Sequence, residues 1–213
     1  MKLDFSLFSD EPFPKDKAIT NRSGIEPCDI DDFFRGRPVS SEWPRTPYDI
    51  ADSARRTRFG TSLKDLRENY PGDESACLSF MTPEAFAFFL PLFMKFAVLE
   101  YDEAKNIPES LAYRLHSLAT GGARDEEAEA AMKKYAPFQY TDEQNKKFYS
   151  ELEKIESARM QEILNTYSKD QLNVIIETLD ELSRIWGPLD SAEPMEAAEL
   201  LRKKFGLPEN KEE

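Results

Sequence analysis

The chain has 213 residues, which is long enough to bury a hydrophobic core without disulfides or a structural metal. It carries 28 Lys and Arg against 41 Asp and Glu, giving a formal charge of -13 at pH 7, so its overall field repels nucleic-acid backbones and anionic lipid surfaces. The composition therefore argues against nucleic-acid and membrane partners and favours a basic protein as the partner.

The N-terminal part of the chain, residues 1–45, predicts an irregular arm. It contains five prolines and shows no sustained period of 3.6 or 2. Its aromatic residues are more numerous than disordered segments usually carry, so we expect the arm to pack on the rest of the protein. The phenylalanines among them are Phe5, Phe8, Phe13, Phe33 and Phe34. We assign residues 46–206 to a helical domain and 207–213 to a disordered tail.

The helical domain has its strongest signal in the middle. Thr46-Pro47 predicts the start of a first short helix, and a second short helix is expected around Leu63 and Leu66, after Gly60. Thr82-Pro83-Glu84 then provides an N-cap, a proline at the first helical position and an acid at the positive helix end. Residues 85–99 are apolar on nearly every side, which predicts a central Phe-rich helix with several neighbours. The stretch is shorter than the roughly 20 residues of a membrane span, and we favour a core helix over a cofactor pocket.

The remaining helices are marked by their ends. Pro108 opens one that carries leucines at helical spacing and ends before Gly121-Gly122, and a short acidic helix is predicted over 125–135. Thr141 and Ser168 each start a capping box with a glutamine three residues later, and Trp186-Gly187-Pro188 predicts the end of the second of these helices. A last helix is predicted from Ser191 to Gly206. With only three valines in the chain, the fold class is all-α or nearly so, a multi-helix bundle around the central helix.

Histidine and cysteine are too scarce for most site chemistry. The one histidine, His116, and the two cysteines, Cys28 and Cys77, cannot supply a usual zinc motif, and whether the cysteines are close stays open. Any catalytic histidine pair would have to use His116, which lies in an amphipathic helical pattern, and no phosphate-binding glycine motif occurs. We therefore expect no metal, no cofactor and no enzyme activity. The first residues lack the features of a secretory signal, which favours the cytoplasm.

Two carboxylate clusters are the candidate binding residues. They are Asp29, Asp31 and Asp32 in the arm and Glu126, Glu127 and Glu129 in the short acidic helix. The first cluster lacks the glycine and distal glutamate of an EF-hand, and the second has only alanines to enclose it, so metal binding and acid-base catalysis are the weaker interpretations. We expect these acids to form the charged part of a surface that binds a basic partner.

A local basic cluster stands out against the acidic background. It consists of Arg55, Arg56, Arg58, Lys64 and Arg67. The cluster could bind a phosphate or carboxylate, or its members could pair internally with the excess of acids. We favour internal pairing.

The segment Thr82-Pro83-Glu84-Ala85-Phe86-Ala87-Phe88-Phe89-Leu90-Pro91, together with Tyr167-Ser168-Lys169-Asp170-Gln171 downstream, resembles an uncharacterised bacterial family. The resemblance covers about residues 43–186. It implies a context, because such small acidic proteins look like the immunity partners encoded beside secreted bacterial toxins. Both motifs are folding signals, so the resemblance transfers no functional residue.

The leading hypothesis from the sequence is an immunity protein that binds and neutralises a cognate secreted toxin. A nuclease is the toxin class that suits an acidic partner best, because a nucleic-acid surface must be basic. The alternative is a carboxylate-based enzyme, with or without a metal, of unknown substrate. An adaptor role and the oligomeric state, including a homodimer, stay open.

Overall fold

The structure, a computed structural model, describes residues 3–14, 17, 57–69, 75, 78, 81–120, 158–159, 161–187 and 192–208. Its five α-helices are α1 (Leu63–Asn69), α2 (Pro83–Leu99), α3 (Ile107–Thr120), α4 (Lys169–Trp186) and α5 (Ala192–Phe205). Short 3-10 turns lie at Phe5–Leu7 and Tyr101–Glu103. The described part contains no β-strand, which confirms the all-α fold class.

The predicted central helix is α2. Thr82 caps it by accepting a hydrogen bond from the backbone N–H of Ala85 at 3.2 Å, and Pro83 occupies the first turn. The helix continues through Pro91 and buries side chains on most of its circumference. Its large fully buried side chains include Phe89, Phe93 and Phe96. α2 therefore forms the centre of the described core, packed against α3 and α4.

The predicted capping box at the start of α4 is present in full. The Ser168 side chain accepts from the backbone N–H of Gln171 at 3.2 Å, and the Gln171 side chain accepts from the backbone N–H of Ser168 at 2.9 Å. The helix ends at Gly187, whose φ of 75° favours glycine. These local signals define both ends of α4.

The last helix, α5, packs on α3 and α4. Its buried Ala197, Ala198 and Leu201 include two small side chains, which allow close approach between helices. An ion pair between Arg202 on α5 and Asp180 on α4 adds a polar contact to the apolar one. α3 and α4 thus contact both the central helix and α5.

Part of the arm is included in the described structure. Phe8 and Phe13 are buried in the same apolar cluster as α2, and Pro12 forms an isolated antiparallel bridge with Thr57. Other predicted features lie outside the described residues. These are Phe33, Phe34, the boundary at 45/46, the helix start at Thr46-Pro47, the acidic helix over 125–135, the helix start at Thr141, the cap at Ser191 and residues 209–213. Within the described ranges, no helix has the length and apolar character needed to cross a membrane.

Candidate functional site

A tight turn at residues 57–60 places an arginine between the arm and α2. The backbone N–H of Gly60 donates to the carbonyl of Thr57 at 3.2 Å, and a Cβ added at Gly60 would lie only 2.6 Å from the Thr57 hydroxyl oxygen. The backbone N–H of Phe59 donates to Asp10 Oδ1 at 2.8 Å, which fixes the turn to the arm. Arg58 is held within this turn.

The Arg58 side chain connects three parts of the chain. Its Nε donates to the carbonyl of Phe88 on α2 at 2.6 Å, and its Nη1 donates to the carbonyl of Ser9 in the arm. The guanidinium carbon lies 4.1 Å from the ring centroid of Phe88 and 5.9 Å from that of Phe8. Both distances are within the range of cation–π attraction.

The partners of Arg58 are neutral. None of the ion pairs in the described part of the chain involves this guanidinium. Burial lowers the pKa of Arg58, while the nearby Tyr167 and Asp10 raise it, and a guanidinium stays charged throughout the physiological range. Arg58 therefore does not form the ion pair expected for the basic cluster, because it donates instead to the carbonyls of Ser9 in the arm and Phe88 on α2. Arg55 and Arg56 lie outside the described residues.

Tyr167 compensates for the proline inside α2. Pro91 has no N–H, so it cannot make the usual helical hydrogen bond to the carbonyl of Ala87 four residues earlier. The Tyr167 hydroxyl donates to that carbonyl at 2.7 Å. Burial raises the pKa of Tyr167 above its ordinary value, despite the lowering effect of Arg58, so the hydroxyl keeps its donor proton. A side chain from the start of α4 thus supplies the donor that α2 lacks.

This replacement gives a testable coupling. We expect Tyr167→Phe to lower the free energy of unfolding by about 2 kcal/mol, because it leaves the Ala87 carbonyl without this donor. In a Pro91→Ala background the same change is expected to cost about 1 kcal/mol less, since the new N–H at position 91 can reach that carbonyl. Urea unfolding of the four proteins in the cycle measures the coupling. Equal costs of Tyr167→Phe in both backgrounds would show that the hydroxyl does not replace the helical donor.

A cleft lies beside Arg58, between the arm and the N-terminal ends of α2 and α4. Its volume is about 260 Å³. Its lining residues are Phe8, Phe13, Pro14, Lys17, Arg58, Glu84, Ala87, Phe88, Thr166, Tyr167 and Gln171. Lys17 Nζ lies 2.9 Å from Glu84 Oε1. The Gln171 amide donates to the carbonyl of Leu7 at 2.9 Å, which holds the arm against α4.

A second surface runs along α3 and α5. His116 Nε2 lies 3.5 Å from Glu196 Oε2 and makes no hydrogen bond, and this contact places one stripe of α3 next to one stripe of α5. Tyr113, one turn from His116, is 60% exposed. On α5 the exposed Glu193 and Glu199 lie one turn on either side of Glu196. We call this surface the acidic face: a row of carboxylates on α5, in contact with α3 at His116, and an exposed tyrosine one turn along α3 from that contact.

The structure does not describe the residues that the sequence marked as binding positions. Asp29, Asp31, Asp32, Glu126, Glu127 and Glu129 all lie outside the described residues, as do Cys28 and Cys77. Across the ranges that the structure does describe, no group of three or more His, Cys, Asp or Glu could hold a metal ion. The described candidates are instead the cleft and the acidic face.

Sequence reasoning missed the roles of Arg58 and Tyr167. The sequence does contain one signal that bears on Tyr167. Pro91 lies inside an apolar helix and has no N–H, so the carbonyl four residues earlier needs a donor from elsewhere in the chain. Nothing local identified the hydroxyl that meets it. The sequence shows Arg58 as one member of a basic cluster, and the glycine two residues later is the local signal for the turn that holds it.

Comparisons of the chain with protein-family models, with curated proteins and with solved structures found no match. The arguments for a function therefore rest on this chain's own charges and contacts.

Proposed function

We propose that this chain is an immunity protein that binds a cognate secreted bacterial toxin and neutralises it by direct contact. The proposal places the protein in the cytoplasm and makes its partner basic, with a nuclease as the toxin class of best complementary charge. It requires no catalytic residue and no cofactor in this chain.

The observation that carries the proposal is the acidic face of α3 and α5. Glu193, Glu196 and Glu199 form one exposed stripe, and Glu109 lies on the same side of α3 as His116. Acids in a row attract a basic partner and accelerate its association, while their effect is screened by salt. The charge of this stripe changes sign along α5, because Lys203 follows Glu199 one turn later and the acids are at the start of the helix. A basic partner is therefore favoured at the start of α5.

The exposed tyrosine supports the same proposal. Charged rims set the rate and orientation of association, whereas most of the affinity of protein interfaces comes from a few aromatic or arginine side chains. Tyr113 is a large side chain with little conformational entropy to lose, and it is exposed on α3 one turn from His116, which contacts Glu196. The net charge of -13 favours the same kind of partner over longer distances.

The test is a toxicity experiment with the product of the gene adjacent to the one that encodes this chain. That product is expressed in a bacterial host alone and together with this chain. We expect toxicity alone, rescue by co-expression, and a stoichiometric complex of the two purified proteins. A harmless neighbour, or toxicity that this chain does not reduce, would contradict the proposal.

Variants then locate the surface. We expect the triple change of Glu193, Glu196 and Glu199 to Lys to slow association at least tenfold at low salt and to weaken rescue. The control reverses three exposed acids elsewhere, Asp102, Glu103 and Glu162, and therefore has the same net charge. A parallel variant that reverses the charges of the two sequence-predicted clusters tests whether those positions contribute as well.

A further inference from the structure

The cleft beside Arg58 is a positively charged spot in an acidic protein. Its charged lining residues are Arg58, Lys17 and Glu84, two cations and one carboxylate. Lys17 and Glu84 are close enough to offset each other. The Arg58 guanidinium makes no ion pair in the described part of the chain, although the Asp10 carboxylate, which accepts from the Phe59 N–H, lies near enough to raise its pKa.

Arg58 also has donors to spare. A guanidinium carries five N–H groups, and the hydrogen bonds to the carbonyls of Phe88 and Ser9 use two of them. The remaining donors lie on Nη1 and Nη2, the pair of nitrogens that binds a carboxylate in the bidentate geometry. Packing against the Phe88 ring restricts the guanidinium plane, so the fork is oriented before a ligand arrives.

The rest of the cleft selects for an aromatic group. Phe8, Phe13 and Phe88 line it, and the Phe13 ring lies 5.2 Å from the Phe88 ring in an edge-to-face arrangement. A volume of about 260 Å³ exceeds the roughly 150 Å³ in which an engineered apolar cavity holds benzene, and so leaves room for one ring with a polar substituent. Glu84 and Gln171 come from the first turns of α2 and α4, so the positive ends of both helices lie near the cleft.

We propose that this cleft is a binding site for a small aromatic carboxylate, with the carboxylate on the Arg58 fork and the ring among Phe8, Phe13 and Phe88. The site differs from the acidic face in charge and in position, so it is a second binding function. It takes an anion, whereas the acidic face takes a cationic protein.

The test compares three small probes on the full-length protein. Benzoate has both the carboxylate and the ring, benzamide replaces the charge with a neutral amide, and acetate has no ring. We expect benzoate to bind with a dissociation constant of about 1 mM, as its small size allows, and at least tenfold more tightly than either control. Titration is followed by calorimetry and by the NMR signal of the Arg58 Nε–H. Equal binding of benzoate and benzamide, equal binding of benzoate and acetate, or no binding would each overturn the proposal.

A variant that is expected to bind benzoate more tightly gives a second test, because loss of folding cannot produce a gain in affinity. Glu84→Gln removes the one carboxylate from the cleft and leaves Arg58 and the three rings in place. We expect benzoate to bind about threefold more tightly to this variant. Glu103→Gln changes an exposed acid just beyond the C-terminal end of α2, outside the cleft lining, and is expected to leave the affinity unchanged. Unchanged affinity in Glu84→Gln, or the same gain in both variants, would contradict the assigned position.

Discussion

Phe93→Ala is expected to lower the free energy of unfolding by about 4 kcal/mol. The Phe93 side chain is fully buried in the middle of α2, and its ring lies 6.1 Å from that of Phe96 in an edge-to-face arrangement. The substitution removes buried apolar surface, leaves a cavity and deletes a ring contact. Urea unfolding measures the loss, and the melting temperature of a chain of this size is expected to fall by about 10 °C.

The matched control is on the same helix. Leu99, the last residue of α2, is 61% exposed, so Leu99→Ala is expected to cost less than about 0.5 kcal/mol. A similar cost for both substitutions would mean that α2 is not the centre of the core, and the assignment of the fold around this helix would have to be revised.

Arg58→Ala has the second largest expected effect, a loss of about 3 kcal/mol. The change removes the guanidinium donors from the carbonyls of Phe88 and Ser9 and the cation–π contact with the Phe88 ring. Because Arg58 is the side chain that joins the turn to both the arm and α2, the loss is expected to be local as well as global. Amide hydrogen exchange in residues 3–14 is expected to accelerate more than exchange in α3 and α5.

Arg184→Ala is the control for this prediction. Arg184 is exposed on α4 and pairs with Glu181 on the same helix, so its loss is expected to change stability by less than about 0.5 kcal/mol. If Arg58→Ala left hydrogen exchange in the arm unchanged, the contacts of Phe8, Phe13, Asp10 and Gln171 would be enough to hold the arm without Arg58.

Arg58 has two roles, holding the arm and facing the cleft, and each role is tested by a different measurement. Stability and hydrogen exchange report on the contacts with Phe88 and Ser9, which form within the protein. The comparison of benzoate with benzamide reports on the donors that remain, and it requires no change at Arg58. Faster hydrogen exchange in the arm of Arg58→Ala would therefore be evidence for the structural role of Arg58 only, and not for ligand binding in the cleft.

Several helices could be predicted from the sequence because their signals are local. The cap at Thr82, the capping box of Ser168 and Gln171, and the left-handed glycine at Gly187 each involve residues within one helical turn. The nearly continuous apolar stretch of α2 also predicted burial on most sides, because an apolar helix face has to pack against other parts of the protein to leave water. Helix type and the approximate ends of α2, α3 and α4 follow from such short-range chemistry.

The candidate sites were much less predictable. Carboxylates that are close together along the chain can be recognised in a sequence, and they were the basis for predicting two binding clusters. The predicted residues are Asp29, Asp31, Asp32, Glu126, Glu127 and Glu129, and they stay predictions. The acidic face was not visible, because its acids are three residues apart on α5 and its tyrosine is on α3. The contact between His116 and Glu196 is what places those two stripes side by side.

The sequence by itself determined the fold class, the central helix and the chemistry of the helix ends, because each depends on neighbours along the chain. Only the tertiary structure decided what Arg58 and Tyr167 do. Arg58 finds its carbonyl partner 30 positions away, and Tyr167 finds the Ala87 carbonyl 80 positions away. A buried carbonyl takes whichever donor the tertiary packing brings within reach, here from the 57–60 turn and from the start of α4. That packing is not specified by any pattern near either residue.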